Sequence, residues 1–468
     1  MKSHVRYACR LCGSSSPRWQ GRCGACSEWN SIDEVSGPEP SSRARVSASA
    51  LRDVAGDATS ALSSGIGELD RVLGGGFIAG STTLLYGEPG VGKSTLALMT
   101  LCALAREHDV LLIAAEESAA QIAQRARRIG DIPTRLAVAN TTSVESASGL
   151  LGERPGTLCV IDSISAMSDD ALSSVVGSVP QIRAAAERLC ATAKATDTAL
   201  LLIGHVTKDG ELAGPRALEH LVDTVIRIEG DRHGSLRTVR AQKHRFGPTG
   251  EVGLFEMVGD GLREILDPSV SLRGPELDVP GVVLTVTNDG SRSFVVEIQA
   301  LVAHAAGSTK RVAYQLSSPR LSLLLAVLEA RCGVDTSALD VFAATAGGLS
   351  ASEPGVDVAL ALAIASATLG FAVSPSVVAI GEVGLAGELR AVSGMSRRIQ
   401  EARRLGARVI ILPASSDVES DGLVLRRCHS LVEAIAAARL DATAVPASFD
   451  SSHAPDVTQG MSSTRPNA

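Results

Sequence analysis

The sequence predicts an α/β protein whose largest part is a doubly wound parallel sheet. Strand-like and helix-like segments alternate between residues 82 and 205, which is the pattern of such a sheet. A complete phosphate-binding motif lies between the first strand and the first helix of this series. In addition, four cysteines fall within the first 26 residues and predict a separate metal-binding module.

The composition agrees with this fold class. Hydrophobic residues make up 45% of the 468 residues and aromatic residues only 3%, so the cores must consist of alanine, valine, leucine and isoleucine. The net charge of −7 gives no overall attraction to nucleic acid, and any contact of that kind needs a local basic surface.

No segment of the sequence has the pattern of a membrane span or an export signal. No apolar run approaches roughly 18 residues, and the opening MKSHVRYACR has no apolar core. Five of the nine cysteines are scattered through apolar segments, as expected of thiols that fill cores in a reducing compartment. We therefore expect a cytoplasmic protein without a membrane partner.

The clustered cysteines have the spacing of a zinc site. Two Cys-x-x-Cys pairs can each hold one side of a tetrahedral ion, and the four candidate ligands are Cys9, Cys12, Cys23 and Cys26. About 25 residues cannot bury enough apolar surface to fold alone, so the metal would be the core of this module. A polar linker follows, over residues 36–58.

The cysteine module also carries cations and aromatic rings, whose role the sequence leaves open. Five residues are concerned: Arg10, Arg18, Arg22, Trp19 and Trp29. They have the chemistry to meet nucleic acid by charge and stacking, to cover the metal site, or to hold a partner.

The phosphate-binding motif predicts an ATP site. It comprises Gly87, Glu88, Pro89, Gly90, Val91, Gly92, Lys93, Ser94 and Thr95. The glycines let backbone N–H groups surround the phosphates at a helix N-terminus. Lys93 is expected to reach the β- and γ-phosphate oxygens, and the Ser94 hydroxyl to ligate Mg²⁺.

Two carboxylates at strand ends complete the predicted site. Asp162 ends an apolar strand and is the residue type that holds Mg²⁺; the alternative for it is a helix N-cap. Glu116 ends a neighbouring strand, where a carboxylate can activate the attacking water. Glu117 competes for that role, and the sequence does not decide between them.

Two further polar segments follow the last parallel strand. The glycine-rich loop from Gly204 to Arg216 has the composition of a mobile loop that senses the nucleotide, or of an inert surface loop. The run RTVRAQKHR, an FGPTG turn and EVGLFEM predict a β-hairpin with Lys243 and Arg245 near its tip. These two cations are either solvated or reach a phosphate on a neighbouring subunit.

In this order, the motifs resemble the bacterial RadA (Sms) recombination protein family over about 440 residues. The most specific segments are GHVTKDGELAGPRALEHLVDTV and KHRFG, in which His244 replaces the asparagine of the family's KNRFG motif. The family combines a zinc ribbon, a RecA-like ATPase and a Lon-protease-like domain. The resemblance implies a zinc ribbon over residues 1–35, a linker over 36–58 and the ATPase domain over 59–268. The Lon-like domain would follow over residues 271–446, and a tail over 447–468.

The resemblance also implies an activity. It implies a homohexameric ring that binds single-stranded and branched DNA, hydrolyses ATP with Mg²⁺ to drive branch migration, and has the RecA recombinase as a partner. Lys243 and Arg245 would serve the ATPase and DNA work of the ring. Glu116 would be the water-activating carboxylate, since it lies where RecA-like proteins have theirs.

The Lon-like segment lacks the chemistry of a protease. In the protease fold a serine follows a proline and a lysine activates it. Here Gly355 follows Pro354, and Ser396 occupies the lysine position. No lysine occurs after Lys310, and arginine stays protonated, so we expect no proteolysis.

What remains of this domain is a scaffold with arginines on its surface. They are Arg390, Arg397, Arg398, Arg403 and Arg404, and the resemblance assigns subunit or duplex DNA contacts to them. The leading hypothesis is thus a DNA-dependent ATPase motor. The alternative is a nucleotide-switched DNA-binding scaffold without motor activity.

Overall fold

The computed structural model describes residues 6–10, 14–16, 18–35, 61–153, 158–205, 215–230, 234–271, 278–420 and 422–440. The chain divides into two compact units, residues 1–59 and 60–468. Across the described ranges, no helix combines the length and the apolar character needed to cross a bilayer.

The first unit contains a small antiparallel sheet. Its strands are β1 (Arg6–Cys9), β2 (Ser15–Ser16) and β3 (Ile32–Val35), with β1 in the middle. The only buried apolar cluster among its described residues consists of Cys9, Cys23 and Ile32, with Tyr7 packed against it. So small a core agrees with a module that depends on a metal.

The second unit begins with a nine-stranded sheet. Six neighbouring strands run parallel: β4 (Thr82–Gly87), β5 (Val110–Ala114), β6 (Leu136–Asn140), β7 (Leu158–Asp162), β8 (Ala199–His205) and β9 (Thr224–Gly230). Three antiparallel strands extend it beyond β9: β10 (Leu236–His244), β11 (Val252–Val258) and β12 (Gly261–Glu264). The strand order is β12-β11-β10-β9-β4-β8-β7-β5-β6. The predicted parallel sheet and the predicted hairpin are both confirmed.

Helices cover both faces of this sheet. They are α1 (Gly67–Val72), α2 (Lys93–Leu104), α3 (Ala119–Ile129), α4 (Val144–Gly152), α5 (Val179–Ala195) and α6 (Pro215–Leu218). Successive strand residues point to opposite faces, so Leu84 and Leu85 of β4 enter two different apolar clusters. Both clusters consist almost entirely of aliphatic side chains, as the composition predicts.

A seven-stranded mixed sheet follows. Its elements are α7 (Pro268–Ser271), β13 (Val282–Asp289), β14 (Arg292–His304), β15 (Arg311–Tyr314), α8 (Ser318–Cys332), β16 (Leu339–Thr345), α9 (Asp357–Leu369), β17 (Val377–Ala379), α10 (Met395–Arg404), β20 (Val409–Pro413), β21 (Val424–Cys428) and α11 (Leu431–Leu440), with a separate ribbon of β18 (Glu382–Val383) and β19 (Leu389–Arg390). The strand order is β15-β16-β14-β13-β17-β20-β21. Helix α9 is buried from Asp357 to Ser366, so it is the central helix of this part.

Buried charge joins the two sheets. Glu68 of α1 is 1% exposed; it accepts a hydrogen bond from the Leu254 amide at 3.0 Å and pairs with Arg292 of β14 at 2.5 Å. A second, bidentate pair joins Arg240 of β10 to Asp289 of β13. The apolar core of the second sheet also includes residues of β11, so the packing is continuous across the junction.

We predict that Glu68→Ala strongly destabilises the protein. The substitution leaves the largely buried Arg292 without its carboxylate partner and the Leu254 amide without an acceptor, a loss of about 3–5 kcal/mol in the free energy of unfolding. Urea denaturation of the full chain measures this loss. Glu187→Ala, which removes an exposed helical pair with Arg183, is the control and should cost less than about 1 kcal/mol. Equal losses in the two variants would contradict the prediction.

Candidate nucleotide site and zinc centre

The phosphate-binding motif forms the loop between β4 and α2. Gly92 has φ 115°, and a Cβ there would lie 2.8 Å from the Met257 side chain. A Cβ on Gly87 would lie 2.3 Å from the carbonyl oxygen of Ile228. Side chains are thus excluded where the backbone must turn tightly, which leaves its N–H groups open to an anion.

Lys93 begins α2 and is buried within this loop. Its Nζ donates to the carbonyl oxygens of Gly87 and Glu88, each at 3.0 Å. Burial lowers the pKa of Lys93, while the negative charges of Asp162 and Glu116 act in the opposite direction. The three charged groups therefore share one site, as expected from strand ends that meet at one edge of a parallel sheet.

Asp162 ends β7 beside the first turn of α2. The Ser94 hydroxyl hydrogen bonds to its carboxylate and lowers its pKa, but burial has the larger effect and raises it. A hydroxyl and a carboxylate in contact are hard oxygen ligands of the kind that Mg²⁺ prefers. The residues present therefore fit a magnesium nucleotide, with Ser94 and Asp162 on the metal side and Lys93 on the phosphate side.

The two neighbouring glutamates point in different directions. Glu116 accepts a hydrogen bond from the Ser163 hydroxyl and lies 3.7 Å from Nε2 of His205, both at strand ends facing the phosphate loop. Glu117 instead pairs with Arg125 of α3. Glu116 therefore acts on the charge of Lys93 in the phosphate loop, whereas an oxygen of Glu117 is paired with α3.

Three residues of the site were not singled out from the sequence. Ser163 follows an apolar strand and His205 ends one, and these positions could have marked them as site residues. Among the described residues, Nε2 of His205 is buried without a hydrogen-bond partner. Arg237 of β10 gave no local signal. It is 8% exposed, and its Nε donates to the carbonyl oxygen of Val91 at 3.1 Å, which holds the phosphate loop from behind.

The first unit brings together three of the four predicted zinc ligands. The sulfurs of Cys9, Cys23 and Cys26 all lie within 4.8 Å of one another, and the Cys9–Cys26 distance is 3.7 Å. Tetrahedral zinc with Zn–S bonds near 2.3 Å requires sulfurs about 3.8 Å apart, whereas a disulfide requires about 2.0 Å. These thiols therefore fit a zinc ion; Cys12 lies outside the described residues.

Hydrogen bonds favour a thiolate at this centre. The backbone amide of Cys26, the Ser14 hydroxyl and the Ala25 amide together lower the pKa of Cys23 to about 5. A thiolate is the form that binds a metal, so the surrounding backbone already favours binding.

Comparison with known proteins gives family matches for three segments of the chain. Family models match residues 7–34 as a rubredoxin metal binding domain, 48–211 as an AAA domain and 345–416 as subunit ChlI of Mg-chelatase. A solved structure, that of the RadB recombinase, is 24% identical, with a TM-score of 0.35, over 44% of this chain and 99% of that one.

Two curated relatives match along most of their length. The DNA repair protein RadA of Mycolicibacterium smegmatis is 42% identical over 430 residues, which are 88% of this chain and 92% of the relative. The DNA repair protein RadA of Escherichia coli is 41% identical over 426 residues, which are likewise 88% of this chain and 92% of the relative. The chain belongs to the RadA family of DNA repair proteins. The expected family is confirmed, and the family models match a metal-binding domain, an AAA domain and a ChlI-like segment in the expected order.

The KHRFG segment of this RadA family member lies at the end of β10. Lys243 donates to the carbonyl oxygens of Glu219 and Val222, at 2.6 and 2.8 Å. Arg245 pairs with Asp223 at 3.2 Å and remains 58% exposed. Lys243 thus fixes the turn after α6, while more than half of the Arg245 side chain stays exposed to solvent.

His244 is integrated into the same segment. Its Nδ1 lies 3.0 Å from the Thr224 hydroxyl and its Nε2 lies 3.1 Å from the carbonyl oxygen of Leu73. Burial lowers its pKa, so the neutral ring is favoured. In this RadA family member the histidine therefore links β9 to the turn after α1. The rest of the preceding polar loop, residues 206–214, lies outside the described residues.

The Lon-like domain carries an arginine beside the position of the missing serine. The guanidinium of Arg398 is fully buried and makes a bidentate pair with Glu353, at 2.6 and 2.7 Å. A Cβ on Gly355 would lie 2.8 Å from Nη1 of Arg398. The guanidinium thus occupies the space that a nucleophilic side chain would need.

The expectation that Arg398 belongs to an exposed basic surface is wrong. Its side chain is 0% exposed because Glu353 and the Val286 carbonyl oxygen surround it. Arg404 also lies in a network, with Asp267 and Glu401, although about half of its side chain stays exposed.

We predict that zinc binding by the full chain depends on the ribbon thiolates. Cys23→Ala should lose the metal, because three remaining ligands cannot complete a closed tetrahedral site. Elemental analysis of the purified protein measures the zinc content. Cys332→Ala, which removes a cysteine from α8, is the control and should keep one zinc per chain. Full zinc content in Cys23→Ala would refute the thiolate assignment.

We predict that Gly355→Ser does not create a protease. The new side chain meets the Arg398 guanidinium, which should lower the free energy of unfolding by about 1–3 kcal/mol, and no lysine is available to activate the hydroxyl. Casein hydrolysis and urea denaturation test both statements. Gly307→Ser is the control, because a Cβ there meets nothing within 4 Å. Hydrolysis of casein by Gly355→Ser would contradict the prediction.

Proposed function

We propose that this protein is a DNA-dependent ATPase of recombinational repair that works in the cytoplasm as a hexameric ring. ATP hydrolysis drives branch migration and strand unwinding, with single-stranded and branched DNA as the polymer and the RecA recombinase as a partner. The observation that carries the proposal is the convergence of Lys93, Asp162 and Glu116 on one phosphate loop, in a chain that matches DNA repair relatives along most of its length.

The proposed division of roles follows the contacts. The phosphate-loop amides and Lys93 bind the phosphates, and Lys93 exchanges its two carbonyl contacts for phosphate oxygens. Ser94 and Asp162 would hold Mg²⁺, which when bound neutralises charge on the β- and γ-phosphates. Arg237 keeps the loop in place from behind through the Val91 carbonyl.

Glu116 is proposed as the group that orients the attacking water and takes its proton. Its side chain is 44% exposed, so water has access to it, and the Ser163 hydroxyl fixes one oxygen. The Nε2 atom of His205 lies 3.7 Å from the same oxygen of Glu116, and His205 is proposed to orient this carboxylate. Glu117 is not proposed for this role, because one of its carboxylate oxygens pairs with Arg125.

Lys243 and Arg245 are proposed to act on the nucleotide of a neighbouring subunit. The open side of Arg245 supports this, since a guanidinium reaches a phosphate only from an exposed position. Lys243 would exchange its contacts with the Glu219 and Val222 carbonyl oxygens for phosphate oxygens, as proposed for Lys93.

We predict that Glu116→Gln abolishes turnover without abolishing binding. The amide cannot accept the proton of water, so the rate of ATP hydrolysis with single-stranded DNA should fall by about 10²-fold or more. The phosphate loop is untouched, so nucleotide and DNA binding should stay near the level of the unchanged protein. A phosphate-release assay with and without DNA measures the rate of ATP hydrolysis. The mass of the same sample in solution shows whether the protein is a hexamer.

Glu117→Gln is the matched control and should retain activity within a few-fold. In a strand-exchange assay, Glu116→Gln should bind branched DNA but fail to extend the heteroduplex. Normal extension by Glu116→Gln would refute the motor and favour the nucleotide-switched scaffold. An ATPase rate that DNA does not change would also contradict the proposal.

A further inference from the structure

The ribbon exposes both tryptophans of the chain. The sequence contains two tryptophans, Trp19 and Trp29, and both lie in the first unit. Their side chains are 60% and 70% exposed. Tryptophan is highly buried on average, so two such rings in one small module need an explanation.

The two rings lie on either side of a glycine. A Cβ on Gly21 would lie 3.8 Å from Trp29 and 3.9 Å from Trp19. Because both rings approach the same point within 4 Å, their nearest atoms are less than about 8 Å apart. They form one aromatic surface, which we call the tryptophan platform (Trp19, Gly21 and Trp29).

The platform does not cover the metal centre. The buried cluster around the zinc thiols contains Cys9, Cys23 and Ile32, with Tyr7 packed against it, and neither tryptophan belongs to it. Among the three roles that the sequence left open, covering the metal is therefore not supported. The rings remain available to a ligand.

One cation lies against the platform, and two more lie close to it in the chain. Arg22 forms a β-bridge with Trp29, its guanidinium lies 5.8 Å from the centre of that ring, and its Nε donates to the Ser27 carbonyl at 2.7 Å. Arg10 is anchored in a similar way, with Nη2 on the Asn30 carbonyl at 3.1 Å, and Arg18 is exposed beside Trp19 in sequence. Aromatic faces beside fixed cations match a nucleic acid strand, whose bases stack while its phosphates pair.

We infer that the tryptophan platform binds bases of single-stranded DNA. The choice of DNA rests on the proposed function. The size of the platform favours a base over a protein surface. A stable protein interface buries about 800 Å² per partner and takes about 20–30 residues a side, which is nearly the whole described ribbon. Stacking of one base needs one ring and contributes about 1–3 kcal/mol.

The chain allows a direct test, because its tryptophan emission arises from the platform alone. The full-length protein is titrated with oligothymidine that carries a dye at one end. Dye anisotropy reports DNA binding by the whole chain, and tryptophan emission reports the ribbon. We expect emission to be quenched over the same concentration range in which anisotropy rises.

Variants separate stacking from folding. Trp29→Ala should weaken binding about fivefold or more, the equivalent of one stacked base, whereas Trp29→Phe should restore most of the loss. Gly21→Glu adds a carboxylate between the rings and should also weaken binding. Gly24→Glu adds the same charge to the ribbon where a Cβ meets nothing within 4 Å, and should bind nearly normally. Zinc content is measured for every variant to show that the ribbon is intact.

The outcomes distinguish this inference from the proposed function. A chain that gives no anisotropy change with DNA would overturn both. A rise in anisotropy with unchanged tryptophan emission would overturn the inference alone, as would equal affinities for Trp29→Ala and the unchanged protein. Emission that responds to a purified protein partner but not to DNA would also overturn it.

Discussion

The buried carboxylate of Glu68 fixes how the two sheets of residues 60–468 meet. A charge that is 1% exposed is tolerated only where partners surround it. Here they come from separate elements: the Leu254 amide on β11, Arg71 on the same helix, and Arg292 at the start of β14. Since Arg292 opens the longest strand of the second sheet, the pair sets the position of that sheet against the first.

Strand β10 extends this junction to the nucleotide site. Arg237 and Arg240 are three residues apart on a strand, so their side chains leave opposite faces. Arg237 holds the phosphate loop through Val91, and Arg240 holds the second sheet through Asp289. Further along the same strand, Lys243 holds the turn after α6. One strand thus connects the phosphate loop, the Lon-like domain and the KHRFG segment, so these parts cannot shift independently without breaking the contacts of Arg237, Arg240 or Lys243.

Local patterns predicted the fold and much of the site, but not the pairing of charges. The phosphate loop, the strand before it and the helix after it form a contiguous motif, and Asp162 ends an apolar run, so all of these could be recognised. The different contacts of Glu116 and Glu117 could not be predicted, because Ser163 is 47 residues from Glu116. The burial of Arg398 was missed for the same reason: its helix has the pattern of an exposed basic face, and Glu353 is 45 residues away.

The pairing of Arg398 with Glu353 explains why the Lon-like domain keeps its shape without protease chemistry. A catalytic bend needs a pocket that admits both substrate and a nucleophilic side chain. Here the guanidinium fills that pocket, and its contacts with Glu353 and the Val286 carbonyl join the bend to α10 and β13. Gly355 is required in this arrangement, because any Cβ at that position would meet the guanidinium. The absence of a side chain at Gly355 and the buried guanidinium of Arg398 are therefore two parts of one packing arrangement, in which the bend serves as a structural contact.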